Sequence, residues 1–215
     1  CDVRKTQGYG LSKEWLRGMG GKKDAEYKLS LQAERQSGDI QKIHIQIIDS
    51  LDNVLGETIV EPSGSTWKTY ESTFAVTKTE MKAKAKITFE GKGEIDLDMI
   101  SLFPKDTWKG REKGLRKDLV QLLADLHPGF LRFPGGCIVE GRTLANRYQW
   151  KKTVGDIEDR EILINRWNTE FAHRPAPDYY QSFGLGFFEY FQLSEDLGAQ
   201  PLPILGCGIA CQFNT

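Results

Sequence analysis

The chain has 215 residues, of which 39% are hydrophobic and 11% aromatic, and this composition supports one or two folded domains and excludes global disorder. Its 29 basic and 30 acidic residues give a formal net charge of −1, which does not support a nucleic-acid or anionic-membrane partner. No stretch approaches the roughly 20 apolar residues of a membrane span. The sequence begins at Cys1 without a methionine, so we expect a processed or truncated N-terminus, which leaves export open.

Residues up to about Pro104 have the alternating pattern of strands with one buried face. Turn-forming clusters separate the runs at Ser37-Gly38-Asp39, Asp49–Asn53, Pro62-Ser63-Gly64 and Gly91-Lys92-Gly93. Several short strands with frequent turns predict a jelly-roll-like antiparallel β-sandwich over residues 1–104. The alternating residues are Tyr27, Leu29, Leu31 and Ala33; Ile43, Ile45 and Ile47; Tyr70, Phe74 and Val76; Ala83, Ala85, Ile87 and Phe89; and Ile95, Leu97 and Met99.

The pattern changes after Trp108. Leucines recur at helical spacing from Leu115 to Leu126, and a short apolar strand, Phe130 to Phe133, follows His127-Pro128-Gly129. A second helix is predicted from about Gly186 to Leu197, with Gly198 placed to end it and another buried strand at Pro201 to Leu205. This alternation of helices and strands predicts a parallel sheet within residues 105–215.

The run from Phe130 to Gly141 is the most informative motif. Arg132 and Phe133 end the strand, and Pro134-Gly135-Gly136 then allows a sharp turn. Cys137 and Glu140 follow within a few residues. Loops at the carboxyl ends of parallel strands commonly hold reactive or ligand-binding groups, so we predict a functional site here.

The segment between Cys137 and Ser182 has little periodicity, and long segments of this kind are usually functional or disordered. It mixes aromatic side chains with arginines, and such mixtures suit sugars, which offer apolar faces and hydroxyl edges. Packing of the aromatics onto the domain is the alternative, and for any single residue we favour it. The residues are Tyr148, Trp150, Trp167, Tyr179 and Tyr180, with Arg142, Arg147, Arg160, Arg166 and Arg174.

Four cysteines are too few for a disulfide scaffold in a chain of this length. Cys207 and Cys211 lie four positions apart in a Gly-containing segment, which admits a metal or redox site. No histidine or further cysteine lies nearby in sequence to complete a ligand set. We therefore favour small residues beside a cleft and predict no metal and no cofactor.

The sequence from about Ile95 onward resembles the α-L-arabinofuranosidases of glycoside hydrolase family 51. The matching runs are Asp98 to Pro104 with Thr107-Trp108-Lys109, Gly114 to Leu119, Phe130 to Gly141, and Gly184 to Gly198. The resemblance implies a carbohydrate-binding-module-like sandwich inserted before strands two and three of a (β/α)8 barrel. About 110 residues follow Pro104, whereas a closed barrel needs roughly 200 or more, so we expect only part of the barrel.

The family hydrolyses glycosides with retention, using two glutamates about 5 Å apart. The resemblance places the acid/base after an Asn at the end of strand four and the nucleophile on strand seven. No Asn-Glu dipeptide occurs in the sequence, so we predict that neither catalytic carboxylate is present and that this chain alone is inactive. Barrel strands without their neighbours would leave apolar surface uncovered at Leu202, Ile204 and the helix face around Phe187, and the chain would associate or be partly disordered after about Phe130.

The resemblance also assigns supporting roles to five residues. Arg132 matches an arginine that hydrogen-bonds the nucleophile, with a structural salt bridge as the alternative. Cys137 lies where many relatives have an Asn that contacts arabinose, and a thiol is a weak donor for that task. Glu140 is either a catalytic acid or, as we favour because the family places its acid elsewhere, a surface or supporting carboxylate. Gly135 and Gly136 either bring the backbone close to the sugar or simply make the turn.

The sequence thus predicts part of a retaining, exo-acting α-L-arabinofuranosidase that releases terminal arabinofuranose from hemicellulose or pectin side chains. Its partners would be arabinose-containing polysaccharides or oligosaccharides, and other parts of the same enzyme or a second copy of the chain. The resemblance implies a secreted or periplasmic protein. A stand-alone carbohydrate-binding protein and a structural spacer remain as alternatives for the sandwich, although residues 1–104 show no clear aromatic strip.

Overall fold

The computed structural model describes residues 2–3, 9–13, 19–164, 167 and 180–210. The chain divides into two compact units, residues 1–120 and residues 121–215. The assignment of domains to residues 1–104 and 105–215 stays a prediction. Within the described ranges, no helix is both long enough and apolar enough to cross a membrane.

The first unit is built on a curled antiparallel sheet. Its long central strands, β4 and β7, pair with each other along most of their length. β5 and β6 pair with opposite halves of β4, and β1, β2 and β3 pair with β7. The strands are β1 (Asp2–Val3), β2 (Tyr9–Lys13), β3 (Met19–Gly21), β4 (Glu26–Ile48), β5 (Val54–Val60), β6 (Lys68–Ala75) and β7 (Glu80–Pro104).

The glycine clusters inside β4 and β7 do not end these strands, which corrects the expectation that they separate shorter ones. Gly38 and Gly93 are opposite each other in the β4–β7 register, and the register shifts on either side of Gly38. A Cβ atom at Gly38, whose φ is 77°, would lie 2.3 Å from the Lys92 carbonyl oxygen. The two glycine-rich stretches therefore bend a continuous pair of strands at the same place.

Most of the alternating residues predicted to be buried form the core of the first unit, whereas Tyr70, Ala85 and Leu97 are half-buried against it and Met99 lies in neither cluster. Two adjoining clusters of buried side chains draw on both halves of β4 and β7, so the curl of the sheet wraps these halves around common interior residues. The predicted turn after β4 is also present. There the Asp49 carboxylate accepts hydrogen bonds from the backbone N–H groups of Leu51 and Asn53, both at 2.9 Å.

The first unit ends in a loop that folds back on itself. Thr107 forms an isolated antiparallel bridge with Arg116, and a short 3-10 helix, Trp108–Gly110, lies between them. Helix α1 (Lys117–Asp125) begins next, as the leucine spacing predicts. Its leucines are exposed, and only Val120 is buried in this helix, so the apolar face of α1 is open.

The second unit contains the predicted pair of parallel strands. β8 (Phe130–Phe133) pairs in parallel with β11 (Gln200–Pro203), which confirms the expected parallel pairing. No residue of β11 is buried, which corrects the expectation of a buried strand, because one face of the pair is uncovered in this chain. A single turn of helix, α2 (Cys137–Glu140), follows β8, and helix α3 (Phe187–Leu197) precedes β11. α3 ends at Gly198 in the left-handed conformation, with φ 67° and ψ 22°, as predicted.

The segment between α2 and α3 has more local structure than its sequence pattern indicates. Its described residues include three short 3-10 helices, Leu144–Asn146, Trp150–Thr153 and Ile157–Asp159. Two short strands, β9 (Leu163–Ile164) and β10 (Tyr180–Gln181), pair antiparallel. Residues 144–159 therefore form a series of short helical turns.

Apolar surface is uncovered in the second unit, but not at every expected residue. Leu202 is 44% exposed and Ile204 is intermediate, as expected, whereas Phe187 is buried, which corrects the expectation for that residue. Phe187 is covered because its ring packs 5.4 Å from the ring of Phe133. The open face of α3 is instead formed by Phe188 and Phe191.

Candidate functional site

Arg132 lies on the exposed face of β8, opposite the face that packs on α3. Its neighbour Phe133 is buried against the α3 rings of Phe187, Tyr190 and Phe191, at centroid distances of 4.9–5.4 Å. Successive strand residues point to opposite faces, so Arg132 points away from α3. Among the residues that the structure describes, its guanidinium has no hydrogen-bond or ion-pair partner.

The turn after β8 brings Gly136 back to Arg132. A Cβ atom at Gly136 would lie 3.7 Å from Arg132 Nη2, so the guanidinium packs over the glycine backbone. Gly135 has a φ of 147°, a conformation that L side chains rarely adopt. Both glycines therefore serve the turn itself, and Gly136 also leaves room beside the guanidinium.

Cys137 and Glu140 occupy the first and last positions of α2. Cys137 is an exposed free thiol, and the Glu140 side chain is half-buried. Cys207, also free and exposed, lies in the loop after β11. In the same loop, a Cβ atom at Gly206 would lie 3.6 Å from Val139 of α2. Cys211 lies outside the described residues, and so does Cys1.

The start of α3 is held by a buried arginine that the sequence pattern did not distinguish from its neighbours. The Arg160 side chain is 4% exposed and forms a two-pronged ion pair with Glu189, with Nη2 to Oε1 at 2.8 Å and Nη1 to Oε2 at 3.0 Å. Arg160 also donates to the carbonyls of Gly155 and Phe183. The Gly186 N–H donates to Glu189 Oε2 at 2.8 Å, which caps the helix.

The protonation of Glu189 follows from these contacts. Burial alone would raise the pKa of this carboxyl, but the hydrogen bonds from Arg160 and then from the Gly186 N–H outweigh it and lower the pKa. Glu189 is therefore ionised at neutral pH and keeps its charge paired. This geometry makes Arg160 a structural arginine and not a sugar contact.

The aromatic residues of the segment after α2 divide between packing and exposure. Tyr148 is buried, and burial raises its pKa to about 12, with the nearby Thr153 hydroxyl acting in the opposite direction. Its hydroxyl oxygen has no well-formed hydrogen bond to any described residue. Trp150, Trp167 and Tyr180 are exposed. Tyr179, Arg166 and Arg174 lie outside the described residues.

Thr153 joins this segment to α3 by a second contact. Its side chain is fully buried, and its hydroxyl donates to the Trp150 carbonyl at 2.8 Å and accepts from the Phe187 N–H at 3.0 Å. The hydroxyl thus satisfies one of the free N–H groups at the start of the helix. Thr153 caps the helix through a contact with Phe187, which is distant in sequence. The local sequence pattern around Thr153 could therefore not predict this capping role.

The turn after β8 brings several polar groups to one end of the β8–β11 pair. At the carboxyl ends of β8 and β11 they comprise a guanidinium, glycine backbone, a thiol and one carboxylate. Within the described ranges, no group of three or more His, Cys, Asp or Glu side chains is arranged so that it could hold a metal ion. The assignment of Arg132, Gly135, Gly136, Cys137 and Glu140 to a substrate site stays a prediction.

Comparison with known proteins gives matches along the whole chain. Residues 122–215 match the family described as "Alpha-L-arabinofuranosidase 1 domain". An extracellular exo-α-L-arabinofuranosidase of Streptomyces chartreusis is 41% identical over 158 residues, which are 66% of this chain and 18% of that protein. α-L-Arabinofuranosidase 1 of Arabidopsis thaliana is 35% identical over 216 residues, covering 98% of this chain and 30% of that protein.

A solved structure agrees with these sequence matches. The arabinose-bound α-L-arabinofuranosidase MgGH51 superposes with a TM-score of 0.83 at 28% identity, over 97% of this chain and 34% of that chain. The chain therefore spans less than a third of the length of the curated relatives described above.

Proposed function

We propose that this chain, which matches a fragment of the α-L-arabinofuranosidases of glycoside hydrolase family 51, is part of a retaining, exo-acting enzyme that releases terminal arabinofuranose. The observation that carries the proposal is the match of residues 122–215, because this range contains β8, the turn after it and β11. The substrate class is arabinose-containing polysaccharides or oligosaccharides of hemicellulose or pectin. Secretion is supported by the relative from Streptomyces, whose name describes it as extracellular.

The surroundings of Arg132 support its proposed role beside a nucleophilic carboxylate. Its register partner on β11 is Leu202, and Phe130 lies two residues earlier on the same strand face; both are exposed. Parallel sheets are normally covered on both faces, so this face is expected to be buried when further strands are present. A guanidinium buried beside two apolar side chains needs an anionic partner, and a carboxylate supplied by a later barrel strand would meet this need.

The proposed architecture is a jelly-roll-like sandwich at residues 1–104 followed by strands two and three of a (β/α)8 barrel at residues 105–215. The curled antiparallel sheet of the first unit supports the sandwich. The parallel β8–β11 pair, joined through α3, supports the barrel, because a right-handed strand–helix–strand crossover is its repeating unit. In this arrangement Gly136 lets the backbone approach a sugar, and Cys137 and Glu140 border the same position.

A carbohydrate-binding or purely structural role for the first unit is the second candidate. It is favoured by the absence from the sequence of the Asn-Glu dipeptide expected at the acid/base. Under the enzyme proposal the same absence has another meaning: the 215-residue chain alone should not hydrolyse glycosides, because both carboxylates are required across the bond.

An activity assay of the isolated chain tests whether it hydrolyses glycosides on its own. Purified chain should give no turnover of an aryl α-L-arabinofuranoside, while the longer parent protein should hydrolyse it. A Glu140→Gln variant serves as the control for a contaminating glycosidase. Turnover by the chain that Glu140→Gln abolishes would place a catalytic carboxylate in this chain and contradict the proposal.

The role of Arg132 is tested in the parent enzyme with Arg132→Lys. Lysine keeps the charge but loses the planar fork that orients a carboxylate, so turnover should fall about 100-fold or more. The melting temperature should change little, because Arg132 would serve the site and not the core. Near-normal turnover, or a stability loss proportionate to the loss of activity, would make Arg132 a structural residue.

A further inference from the structure

A cavity in the first unit is lined by residues other than those of the proposed active site. Its volume is about 240 Å³, and it opens between one end of the β4–β7 ladder and the loop of residues 107–114. We propose that this cavity binds a single neutral sugar residue of an arabinose-containing saccharide, as a site separate from catalysis. The choice of arabinose rests on the proposed function, whereas the preference for a neutral polyhydroxyl ligand is argued from the cavity itself.

The floor of the cavity is formed by the face of β4 and β7 that points away from the core. Leu29 and Leu31 are fully buried in the core, so the intervening Ser30 points to the opposite face. Ser101 lies opposite Ser30 in the ladder, and its hydroxyl donates to the Ser30 carbonyl at 3.4 Å. Phe103 lies beside them and adds one aromatic side chain to the small polar floor.

The loop of residues 107–114 forms the opposite wall and is fastened across the cavity. Lys28 Nζ contacts Glu112 Oε1 at 2.6 Å and Glu71 Oε1 at 3.2 Å. These two carboxylates raise the pKa of Lys28, Glu112 being the stronger cause. Ser30 is only 8% exposed and Thr107 only 4%, so the loop covers hydroxyl-bearing residues instead of leaving them at an open surface.

The ion pairs at the rim favour a ligand that both donates and accepts hydrogen bonds. Lys28 is matched by Glu112 and Glu71, and Lys105 is matched by Glu26 at 3.0 Å, while Arg111 and Lys113 also line the cavity. The paired groups offer donors and acceptors side by side. Sugar hydroxyls both donate and accept, and an apolar sugar face can contact Phe103.

The size of the cavity and the backbone conformation of its wall also favour a sugar ligand. At about 240 Å³ the cavity is just below the roughly 300 Å³ at which pockets for drug-sized molecules begin, so it suits one sugar unit. In the wall, Lys109 and Lys113 have φ values of 53° and 50°, a region that non-glycine residues rarely occupy. Such conformations concentrate at ligand-binding segments, where surrounding contacts hold them in place.

The test measures saccharide binding to the 215-residue chain by saturation-transfer NMR, with α-1,5-arabinobiose as the neutral probe and galacturonic acid as the anionic one. Ser101→Leu fills the floor, and Glu112→Gln removes the negative charge that pairs with Lys28. Glu61→Gln is the matched control on an exposed carboxylate outside the cavity.

Arabinobiose binding should disappear in Ser101→Leu, weaken about fivefold or more in Glu112→Gln, and stay unchanged in Glu61→Gln. Binding that survives Ser101→Leu would overturn the proposal, as would a preference for galacturonic acid. If Ser101→Leu does not fold by circular dichroism, Glu112→Gln decides the result. Glu112 is exposed, and its replacement should not unfold the unit.

Failure of this site and failure of the proposed function are distinguishable. Binding is measured on a chain that is expected to lack turnover, and hydrolysis is measured on the parent protein. Parent enzyme carrying Glu112→Gln should keep its turnover of a small aryl arabinofuranoside. An enzyme that hydrolyses the substrate while this chain binds no saccharide would refute the cavity and leave the enzymatic proposal intact.

Discussion

Replacing Arg160 with leucine is expected to destabilise the second unit by about 3 kcal/mol. All five N–H groups of the guanidinium have acceptors: the Gly155 carbonyl at 2.8 and 3.1 Å, the Phe183 carbonyl at 2.7 Å, and the two Glu189 oxygens at 2.8 and 3.0 Å. Leucine satisfies none of these acceptors. The substitution thus removes one partner of a largely buried ion pair.

The magnitude follows from what remains after the substitution. Breaking a buried ion pair costs roughly 3–5 kcal/mol, because the remaining charge is left without compensation. The side chain of Glu189 is 25% exposed and still accepts from the Gly186 N–H, so the cost should lie at the lower end of this range. The Phe183 carbonyl loses its buried donor and contributes to the same loss.

Hydrogen exchange of the α3 amides, followed by mass spectrometry, measures the effect in the 215-residue chain. About 3 kcal/mol corresponds to a loss of protection of roughly 100-fold, or of all protection if the wild-type value is smaller. Lys152→Met is the matched control, because it breaks an exposed ion pair with Glu161 in the same segment, and such pairs contribute about 0–1 kcal/mol. The double variant Arg160→Leu/Glu189→Gln should regain part of the loss, since no charge is then left unpaired.

Equal losses of α3 protection in Arg160→Leu and Lys152→Met would contradict a large contribution from the buried ion pair. Lower protection in the double variant than in Arg160→Leu would show that the unpaired Glu189 charge is not the source of the lost stability. Glutamine at position 189 can still accept from the Gly186 N–H, so the helix cap is retained in the double variant. The difference in protection between the single and the double variant therefore measures the effect of the unpaired Glu189 charge.

Two further predictions concern the first unit and the exposed apolar surface. His44 donates to Glu57 at 2.9 Å and to Glu90 at 2.6 Å. Burial alone would lower the pKa of His44, but the two carboxylates raise it. The stabilising contribution of His44 should therefore be complete below about pH 6.5 and decline as the pH rises through the folded-state pKa. His44→Gln should flatten the pH dependence of the urea midpoint above pH 6.5, and parallel curves for both proteins would contradict this. The isolated chain should associate through its open helix faces, and Phe188→Gln should reduce the association in light scattering; a monodisperse wild-type monomer with uniformly slow amide exchange would contradict this expectation.

Local sequence patterns were sufficient to predict the structural features that depend on neighbouring residues in the sequence. Alternation identified the buried faces of β4 and β7, and the Gly198 signal identified the end of α3. The run ending at Phe133 identified β8, and its turn brings Gly136 close to Arg132 as a short-range consequence. These features require only the covalent spacing of the residues and their preferred backbone conformations.

Contacts between distant residues were not predictable in this way. Gly38 and Gly93 read as two separate turns, but they are partners across a ladder, so together they bend two strands without ending either. Arg160 and Glu189 are ordinary charged residues in sequence, and only folding makes them a buried pair. The same limit applies to the candidate site, because the group that would pair with Arg132 is absent from the described residues.

The two faces of β8 have different surroundings. On one face, Phe133 packs into an aromatic cluster whose helix is fixed by Arg160 and Thr153. On the other face, Arg132 projects from the same strand, which this packing holds in place. The carboxylate proposed to arrive on that face would therefore meet a guanidinium on an ordered backbone, which reduces the entropy lost when the pair forms. Under the proposed architecture, β8 would not need to rearrange when further barrel strands are added.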